Sequence, residues 1–178
     1  TLWQRLRKLP FKRTRKARID YLESNEMALL LKQVPREEQD GFRDFTLLST
    51  LYNTGARASE MAHLQKSDLM LTEPPTIRLL GKGNKVRICP LWPDAAQLLQ
   101  SYMNEHRRRP LPGHEHYVFI NQRGQHLTRF GIGRIVSKYL TRAAQINQKL
   151  VGKRLSTHSI RHSTAIHLLQ AGAELNVI

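Results

Sequence analysis

The sequence predicts an α+β fold that is mostly helical and carries a small antiparallel sheet. Apolar residues recur at helical spacing along most of the chain. Two short runs rich in β-forming residues, Thr76–Leu80 and Val86–Pro90, flank a turn that contains two glycines, which indicates a β-hairpin. Because the strands follow one another and do not alternate with helices, the pattern argues against a doubly wound parallel sheet.

Three helices are predicted before the hairpin from their caps and their apolar spacing. Ser24 is a residue type that caps helices, and the apolar residues after it predict a helix over 24–34. A second helix is predicted over 39–53, and Gly55 suits its C-terminal end. A third helix is predicted directly afterwards, over 58–64.

The second half of the chain is predicted to hold three helices and one further strand. Pro93 suits the first turn of a helix that runs to about residue 108. Residues 117–121 have the composition of a short strand, and Thr157 is predicted to cap a helix that ends at Gly172. A long helix over 129–144 has one apolar face, formed by Ile132, Ile135, Val136, Tyr139, Leu140 and Ala143.

The charge of the chain predicts a polyanionic partner. The 178 residues include 29 Lys and Arg against 14 Asp and Glu, a formal net charge of +15. The longest apolar run, residues 27–31, is far too short to span a bilayer, and the chain does not open on a signal-peptide pattern. The single cysteine, Cys89, excludes an internal disulfide and a cysteine-based zinc site. A cytoplasmic protein that binds nucleic acid is therefore expected, and a basic protein that only adheres to RNA or lipid headgroups is the alternative.

Residues 1–19 form a basic segment with eight Lys and Arg residues and no acidic one. We interpret it as an arm or linker that lies on phosphate groups, with Arg13, Arg15 and Lys16 among its DNA-binding residues. A solvated tail is the alternative, because such blocks of charge are often disordered.

Two segments and a turn carry the candidate chemistry. Arg57 follows a helix-ending glycine, and Glu60 lies one helical turn further on, where it could orient the guanidinium. His158, Arg161 and His162 share one helix face that is predicted to lie in the first turn, where free N–H groups favour an anion. Ordinary surface ion pairs and solvated histidines are the alternative for each motif taken alone.

Lysine residues at the hairpin tip complete the candidate set. Lys82 stands between two glycines, so the backbone can approach a ligand closely and the ammonium group can reach a leaving oxygen. Lys85 and Arg87 are rivals for that role or are DNA-binding residues. Two metal sites are weaker alternatives, one at His158 and His162 and one at the segment 114–116.

The order of these motifs resembles that of the tyrosine recombinases, also called phage integrases, and of their Xer-like members. Thr54-Gly55-Ala56-Arg57-Ala58-Ser59-Glu60-Met61 resembles their first signature, and Gly81-Lys82-Gly83-Asn84-Lys85 their catalytic-lysine hairpin. His158-Ser159-Ile160-Arg161-His162-Ser163 resembles their His-x-x-Arg-His signature. The resemblance extends from about residue 21 to residue 178.

The resemblance implies a site-specific DNA recombinase or integrase that works through a 3′-phosphotyrosine, without a metal or another cofactor. It implies that Arg57 and Arg161 clamp the scissile phosphate, that Lys82 protonates the departing 5′ oxygen, and that His158 contacts the phosphate. Glu60 and His162 would support them. Double-stranded DNA and a tetramer of protomers on two DNA sites are the implied partners.

The resemblance also implies that the chain is a fragment. It places the nucleophilic tyrosine beyond Ile178, so we expect residues 20–178 to be an incomplete catalytic domain and 175–178 to begin another helix. Residues 1–19 would be the linker from a missing N-terminal DNA-binding domain. The alternatives are a type IB topoisomerase, which rejoins the same strand, and a DNA-binding accessory protein without cleavage activity.

Overall fold

The computed structural model describes residues 20–173, with six α-helices and a three-stranded sheet. The helices are α1 (Ser24–Lys32), α2 (Gln39–Thr54), α3 (Ala58–Ala62), α4 (Pro93–Ser101), α5 (Arg129–Ile146) and α6 (Thr157–Gln170). The strands are β1 (Leu69–Met70), β2 (Thr76–Leu80) and β3 (Val86–Pro90). The predicted α+β class is confirmed. Within the described part of the chain, no helix is long and apolar enough to cross a bilayer.

The sheet is an antiparallel meander in the order β1-β2-β3. Leu80 pairs with Val86 and Thr76 with Pro90, so both predicted hairpin strands are confirmed at both ends. Short helical turns of the 3₁₀ type precede β1, at Lys66–Asp68, and form the hairpin tip, at Lys82–Asn84. The hairpin therefore projects the Gly81–Lys85 segment away from the pairing of β2 with β3.

One hydrophobic core joins the helices to the inner face of the sheet. Its largest buried side chains include Tyr102, Tyr139 and Phe119. The predicted apolar face of α5 is confirmed, since all six of its residues are buried. Helix α6 packs on α2, and α5 packs on α1 and α3. This packing brings the N-terminal ends of α3 and α6 close together.

Helix boundaries differ from the predicted ones at several ends. Glu23, not Ser24, is the N-cap of α1, and its backbone N–H donates to Glu26 Oε2 at 2.8 Å. Ser156, not Thr157, caps α6, because its Oγ accepts from the His158 N–H at 3.2 Å. Helix α3 ends at Ala62, two residues before the predicted end, and α6 ends at Gln170. Helix α4 continues from residue 102 as a π-helical turn that ends at His106.

The strand predicted over 117–121 does not form. Only two isolated bridges occur there, Gln65 with Tyr117 and Ile120 with His126. The Arg107 guanidinium instead donates to the backbone oxygens of this segment, among them Tyr117 O at 2.6 Å and Val118 O at 3.1 Å. A side chain thus takes the acceptors that a neighbouring strand would otherwise pair.

Candidate active site

The turn between α2 and α3 sets the direction of Arg57. Gly55 ends α2 in the left-handed conformation, with φ 58°, which a glycine adopts without strain. Arg57 then occupies the N-cap of α3 in an extended conformation. Its side chain is 47% exposed, so much of the guanidinium faces solvent.

The Glu60 carboxylate lies beneath Arg57 and is almost completely buried. Its side chain is 2% exposed, and it accepts from the Arg57 N–H at 2.7 Å and from Arg57 Nη1 at 3.0 Å. Arg87, on β3, donates to both carboxylate oxygens, each at 2.8 Å. Burial favours the neutral acid, yet the hydrogen bonds from Arg87 and Arg57 outweigh it and lower the pKa of Glu60 to about 2. Glu60 is therefore an anion that binds two arginines.

Helix α6 holds His158 in its first turn and Arg161 and His162 in its second, because the helix begins one residue after its Ser156 cap. The expectation that all three lie in the first turn was wrong for Arg161 and His162. The helix is anchored by buried hydroxyl groups: Thr164 Oγ1 donates to Tyr52 O at 2.7 Å, and Ser163 Oγ accepts from the Leu22 N–H at 2.8 Å.

Arg161 reaches from α6 to the end of α2, where Nη1 donates to the carbonyl oxygen of Gly55. This bond joins the two predicted signatures across 106 positions of sequence. Burial, and then repulsion from Arg57 and Arg87, lower the pKa of Arg161 below its usual value. Two guanidinium groups thus bind the buried Glu60 carboxylate, and Arg161 lies close enough for its charge to interact with all three. The region therefore has a net positive charge.

Arg57, His158 and Arg161 line one cleft of about 190 Å³. The cleft is also lined by five residues that the sequence motifs did not single out for chemistry, Ala56, Ala58, Ser59, Arg129 and Thr157. Arg129 is the notable addition because it brings a further cation from the start of α5. Its only signal in the sequence is a basic residue at the first position of a predicted helix. Chemically, the cleft offers several cationic and N–H donors for one small anion such as a phosphate group.

The two α6 histidines contact each other edge to face. Their ring centroids are 4.6 Å apart, and the His158 side chain is exposed. Burial, and then the nearby His158 and Arg161, lower the pKa of His162, which favours the neutral imidazole. Among residues 20–173, no group of three His, Cys, Asp or Glu side chains is arranged to hold a metal ion.

The remaining predicted residues fall into three groups. The Lys82 backbone lies in the hairpin tip, but its side chain is outside what the structure describes, as are Arg13, Arg15 and Lys16 and the helix start predicted at 175–178. Lys85 is exposed. Arg87, predicted as a DNA contact, points inward and pairs with Glu60.

Comparison with known proteins places the chain in a family. The model described as "Phage integrase family" matches residues 20–178. The chain belongs to the phage integrase family. It is 36% identical over 162 residues to the tyrosine recombinase XerD of Corynebacterium glutamicum, a match that covers 89% of this chain and 51% of that protein. It is 30% identical over 158 residues to the tyrosine recombinase XerC of Staphylococcus epidermidis, with coverage of 89% and 51%.

Solved structures support the same fold. The XerH site-specific recombinase bound to its difH substrate, in a pre-cleavage complex, has a TM-score of 0.73 and is 26% identical, with 88% of this chain and 45% of that chain covered. The XerA recombinase, 23% identical with a TM-score of 0.71, shares the fold over 88% of this chain and 53% of its own. The chain spans about half the length of the curated relatives it matches.

Proposed function

We propose that this chain is part of the catalytic domain of a site-specific DNA recombinase that cuts and rejoins DNA through a 3′-phosphotyrosine. The observation that carries the proposal is the cleft in which Arg57, His158 and Arg161 converge, in a chain of the phage integrase family. Its several cationic donors match a phosphodiester that gains negative charge in a transition state.

Each residue of the cleft has a role in this proposal. Arg57 and Arg161 hold the non-bridging oxygens of the scissile phosphate, for which the planar fork of arginine is suited. His158 contacts the same phosphate as a hydrogen-bond donor or proton acceptor. Glu60 orients Arg57, and His162 lies against the His158 ring and supports it. Lys82, at the hairpin tip, acts as the general acid.

The reaction balances without a cofactor. The tyrosine hydroxyl gives up its proton to His158 or to water and its oxygen attacks phosphorus, the bond from phosphorus to the 5′ oxygen breaks, and Lys82 gives that oxygen its proton. In the second step, a 5′-hydroxyl group of a partner duplex returns a proton to Lys82 as it attacks the phosphotyrosine. The bond from phosphorus to the tyrosine oxygen breaks, and the tyrosine regains its proton. The covalent intermediate retains the energy of the phosphodiester bond.

We propose that the nucleophilic tyrosine follows Ile178 in the full-length protein. The five tyrosines of this chain all lie among the described residues, and none of them lines the cleft. Tyr102 and Tyr139 are buried in the core, and Tyr52 bonds through its hydroxyl group to His167 Nδ1 at 2.7 Å. Tyr117 stacks on His126, and Lys153 Nζ lies 5.9 Å from the Tyr21 ring centroid.

Double-stranded DNA is the proposed partner, and the protein would act in the cytoplasm. Exchange between two duplexes requires a cut in each of four strands, so four protomers on two DNA sites would supply one nucleophile each. The DNA-binding surface would include the exposed Arg129 and Lys85 together with the basic segment 1–19. A relative in complex with its DNA substrate, XerH, supports this class of partner.

The test is a covalent-trapping assay with the full-length protein and duplex DNA that carries its target site. We expect an SDS-resistant complex joined through a 3′ phosphate, and recombinant products when two sites are present. Arg161→Ala should retain DNA binding and lose about 10²–10³ in cleavage rate. Relaxation of supercoiled DNA without exchange would favour the topoisomerase alternative, and binding without any adduct would favour an accessory protein. Residues 1–178 alone should bind DNA and form no adduct.

A further inference from the structure

Arg87 is held inside the molecule against the hydrophobic pattern of its own strand. On β3, the apolar Val86 and Ile88 are 53% and 68% exposed, whereas Arg87 between them is 33% exposed. Side chains alternate between the two faces of a strand, so the pairing register that turns Arg87 inward must leave its neighbours outside. A register with the apolar residues inward would be expected unless Arg87 has a partner beneath the sheet.

That partner is the Glu60 carboxylate, which accepts more guanidinium hydrogen bonds from Arg87 than from Arg57. Its Nη1 and Nη2 atoms donate to the two oxygens at 2.8 Å each, in the parallel fork that makes such pairs strong. Arg57 gives Glu60 only its backbone N–H and one guanidinium N–H. Together these donors supply four bonds, which matches the number of lone pairs that a carboxylate offers.

Because Glu60 pairs with Arg87 as well as with Arg57, most of the Arg57 guanidinium remains available to a ligand in the cleft. With one guanidinium N–H engaged, the other N–H groups of Arg57 can face the cleft, and its side chain is 47% exposed. If Arg87 were absent, a buried carboxylate would lack its main counter-charge. It would then attract Arg57 into a bidentate pair and draw the guanidinium away from the cleft.

The same pair lies directly under the base of the hairpin. A Cβ atom placed on Gly81 would lie 3.2 Å from Glu60 Oε1 and 3.9 Å from Arg87 Nη1. The Gly81 N–H also donates to Lys85 O at 2.8 Å, which closes the hairpin tip. Glu60 and Arg87 therefore lie against the residue immediately before Lys82.

We infer that Arg87 is a positioning residue: through Glu60 it keeps Arg57 directed at the phosphate and fixes the base of the hairpin that carries Lys82. This inference rests on the proposed function. It differs from the sequence-based prediction, in which Arg87 binds DNA or replaces Lys82 as the acid.

The experiment compares Arg87→Met, Arg87→Lys and the matched control Arg78→Met in the full-length protein. Arg78, on the neighbouring strand β2, is exposed and pairs with Asp68 outside the cleft. For each variant, the single-turnover cleavage rate is measured with ordinary DNA and with DNA whose bridging 5′ oxygen is sulphur, a leaving group that needs no proton. DNA affinity against salt concentration and thermal unfolding are measured in parallel.

We expect Arg87→Met to cut about 10²-fold more slowly, as for a small misplacement of a catalytic group, with the salt slope unchanged. Sulphur should rescue this variant only in part, because it replaces the proton from Lys82 but does not redirect Arg57. Arg87→Lys, which keeps the charge but not the fork, should lie between Arg87→Met and the unmodified protein. A salt slope lower by about 0.9 would instead make Arg87 a DNA contact. Complete rescue by sulphur would make it the acid. A normal rate in the folded fraction would make it merely structural. Any of these three results overturns the inference.

A double-mutant cycle tests whether Arg87 acts through Glu60. In a Glu60→Gln background, Arg87→Met should change the cleavage rate far less than it does alone, because the carboxylate it controls is gone. Equal effects in both backgrounds would overturn the inference. If even the unmodified protein does not cut DNA, the proposed function fails. The pairing of Arg87 with Glu60 is then tested by a measurement that does not depend on cleavage. A carbon NMR titration of residues 1–178 should then show a higher Glu60 pKa in Arg87→Met than in the unmodified chain. An unchanged Glu60 pKa would refute the pairing of Arg87 with Glu60.

Discussion

At the scale of the residue, hydrogen bonds and ion pairs to other protein groups fix the positions of the arginine side chains in the candidate site. Arg161 is held by the carbonyl oxygen of Gly55, and Arg57 by Glu60, which Arg87 holds in turn. The Glu60 and Arg161 bonds both join segments that are far apart in the sequence. Distances between the proposed catalytic groups are therefore set by tertiary packing, and substitutions at the partner residues should act on cleavage as well as on stability.

Lys82→Ala in the full-length protein should be defective in cleavage, because a departing 5′ alkoxide is a poor leaving group without a proton donor. Replacement of the bridging oxygen by sulphur should restore cleavage to Lys82→Ala. It should not restore cleavage to Arg161→Ala, whose proposed role is to stabilise charge. Lys85→Ala is the matched variant, since Lys85 is exposed on the same hairpin. If sulphur rescues Lys85→Ala and leaves Lys82→Ala inactive, the acid is Lys85.

At the scale of the element, the turn between α2 and α3 and the hairpin define the site. The turn requires a left-handed residue at Gly55, so that Arg57 begins α3 beside the start of α6. The hairpin closes over Glu60 at Gly81. Each element therefore makes a conformational demand that a stability measurement can detect.

Gly55→Ala should destabilise the fold by about 1–2 kcal/mol, the cost of a left-handed conformation for a residue with a Cβ atom. The added Cβ would lie 3.6 Å from Thr164, an ordinary separation, so the backbone is the main cause. Gly133→Ala is the control: this glycine lies inside α5 with open space around it, and alanine should stabilise the fold by about 0.5–1 kcal/mol. Urea unfolding measures both, and equal effects of the two changes would contradict the role of the Gly55 turn.

A low pH should weaken the ion pair of Glu60 with Arg87, which links α3 to the hairpin. Burial raises the Glu60 pKa, but its arginine partners outweigh burial and bring it from 4.5 to about 2 in the folded protein. A lowered folded pKa gives stability that is complete above about pH 4.5 and is lost as the pH falls towards 2. The difference in unfolding free energy between the unmodified protein and Glu60→Gln should therefore shrink over that range. A constant difference for Glu60→Gln would contradict the ion-pair network.

Local patterns predicted the elements well where the local signal was complete. Both strands of the hairpin were predicted at both ends, because a glycine turn separates two short runs. The caps of α1 and α6 were each predicted one residue too late, since neighbouring residues can also accept the first N–H bonds. The strand predicted over 117–121 does not form: the Tyr117 and Val118 carbonyl groups accept from the Arg107 side chain, and the Ile120 carbonyl group accepts from Arg43. No local pattern reveals these side-chain donors.

The composition of the candidate cleft could be predicted only in part, and its function stays a prediction. Arg57, Glu60, His158 and Arg161 belong to short motifs, and the structure brings them together. The inward direction of the Arg87 side chain depends on the register of β3. The position of Arg129 in the lining of the cleft depends on the packing of α5 against α3. Both are tertiary facts that the residues themselves do not encode locally.

At the scale of the whole molecule, the excess of positive charge should dominate DNA binding. The net charge is +15, and eight of the 29 basic residues lie in residues 1–19. A protein that neutralises phosphate groups releases bound counterions, so its affinity falls with salt in proportion to the number of phosphates it neutralises. The cleft itself has few cations, so most of this dependence should come from groups outside it.

Removal of residues 1–19 should therefore flatten the salt dependence of duplex DNA binding by about 0.9 in logarithmic slope for each phosphate group that the shorter chain no longer neutralises. The measurement is a fluorescence-anisotropy titration of residues 1–178 and 20–178 at several salt concentrations. Arg161→Ala in the longer chain is the control, because it removes one half-buried cation and should change the slope by about 0.9 at most. An unchanged slope after deletion would mean that the segment is a solvated tail and that DNA is bound by residues 20–178 alone.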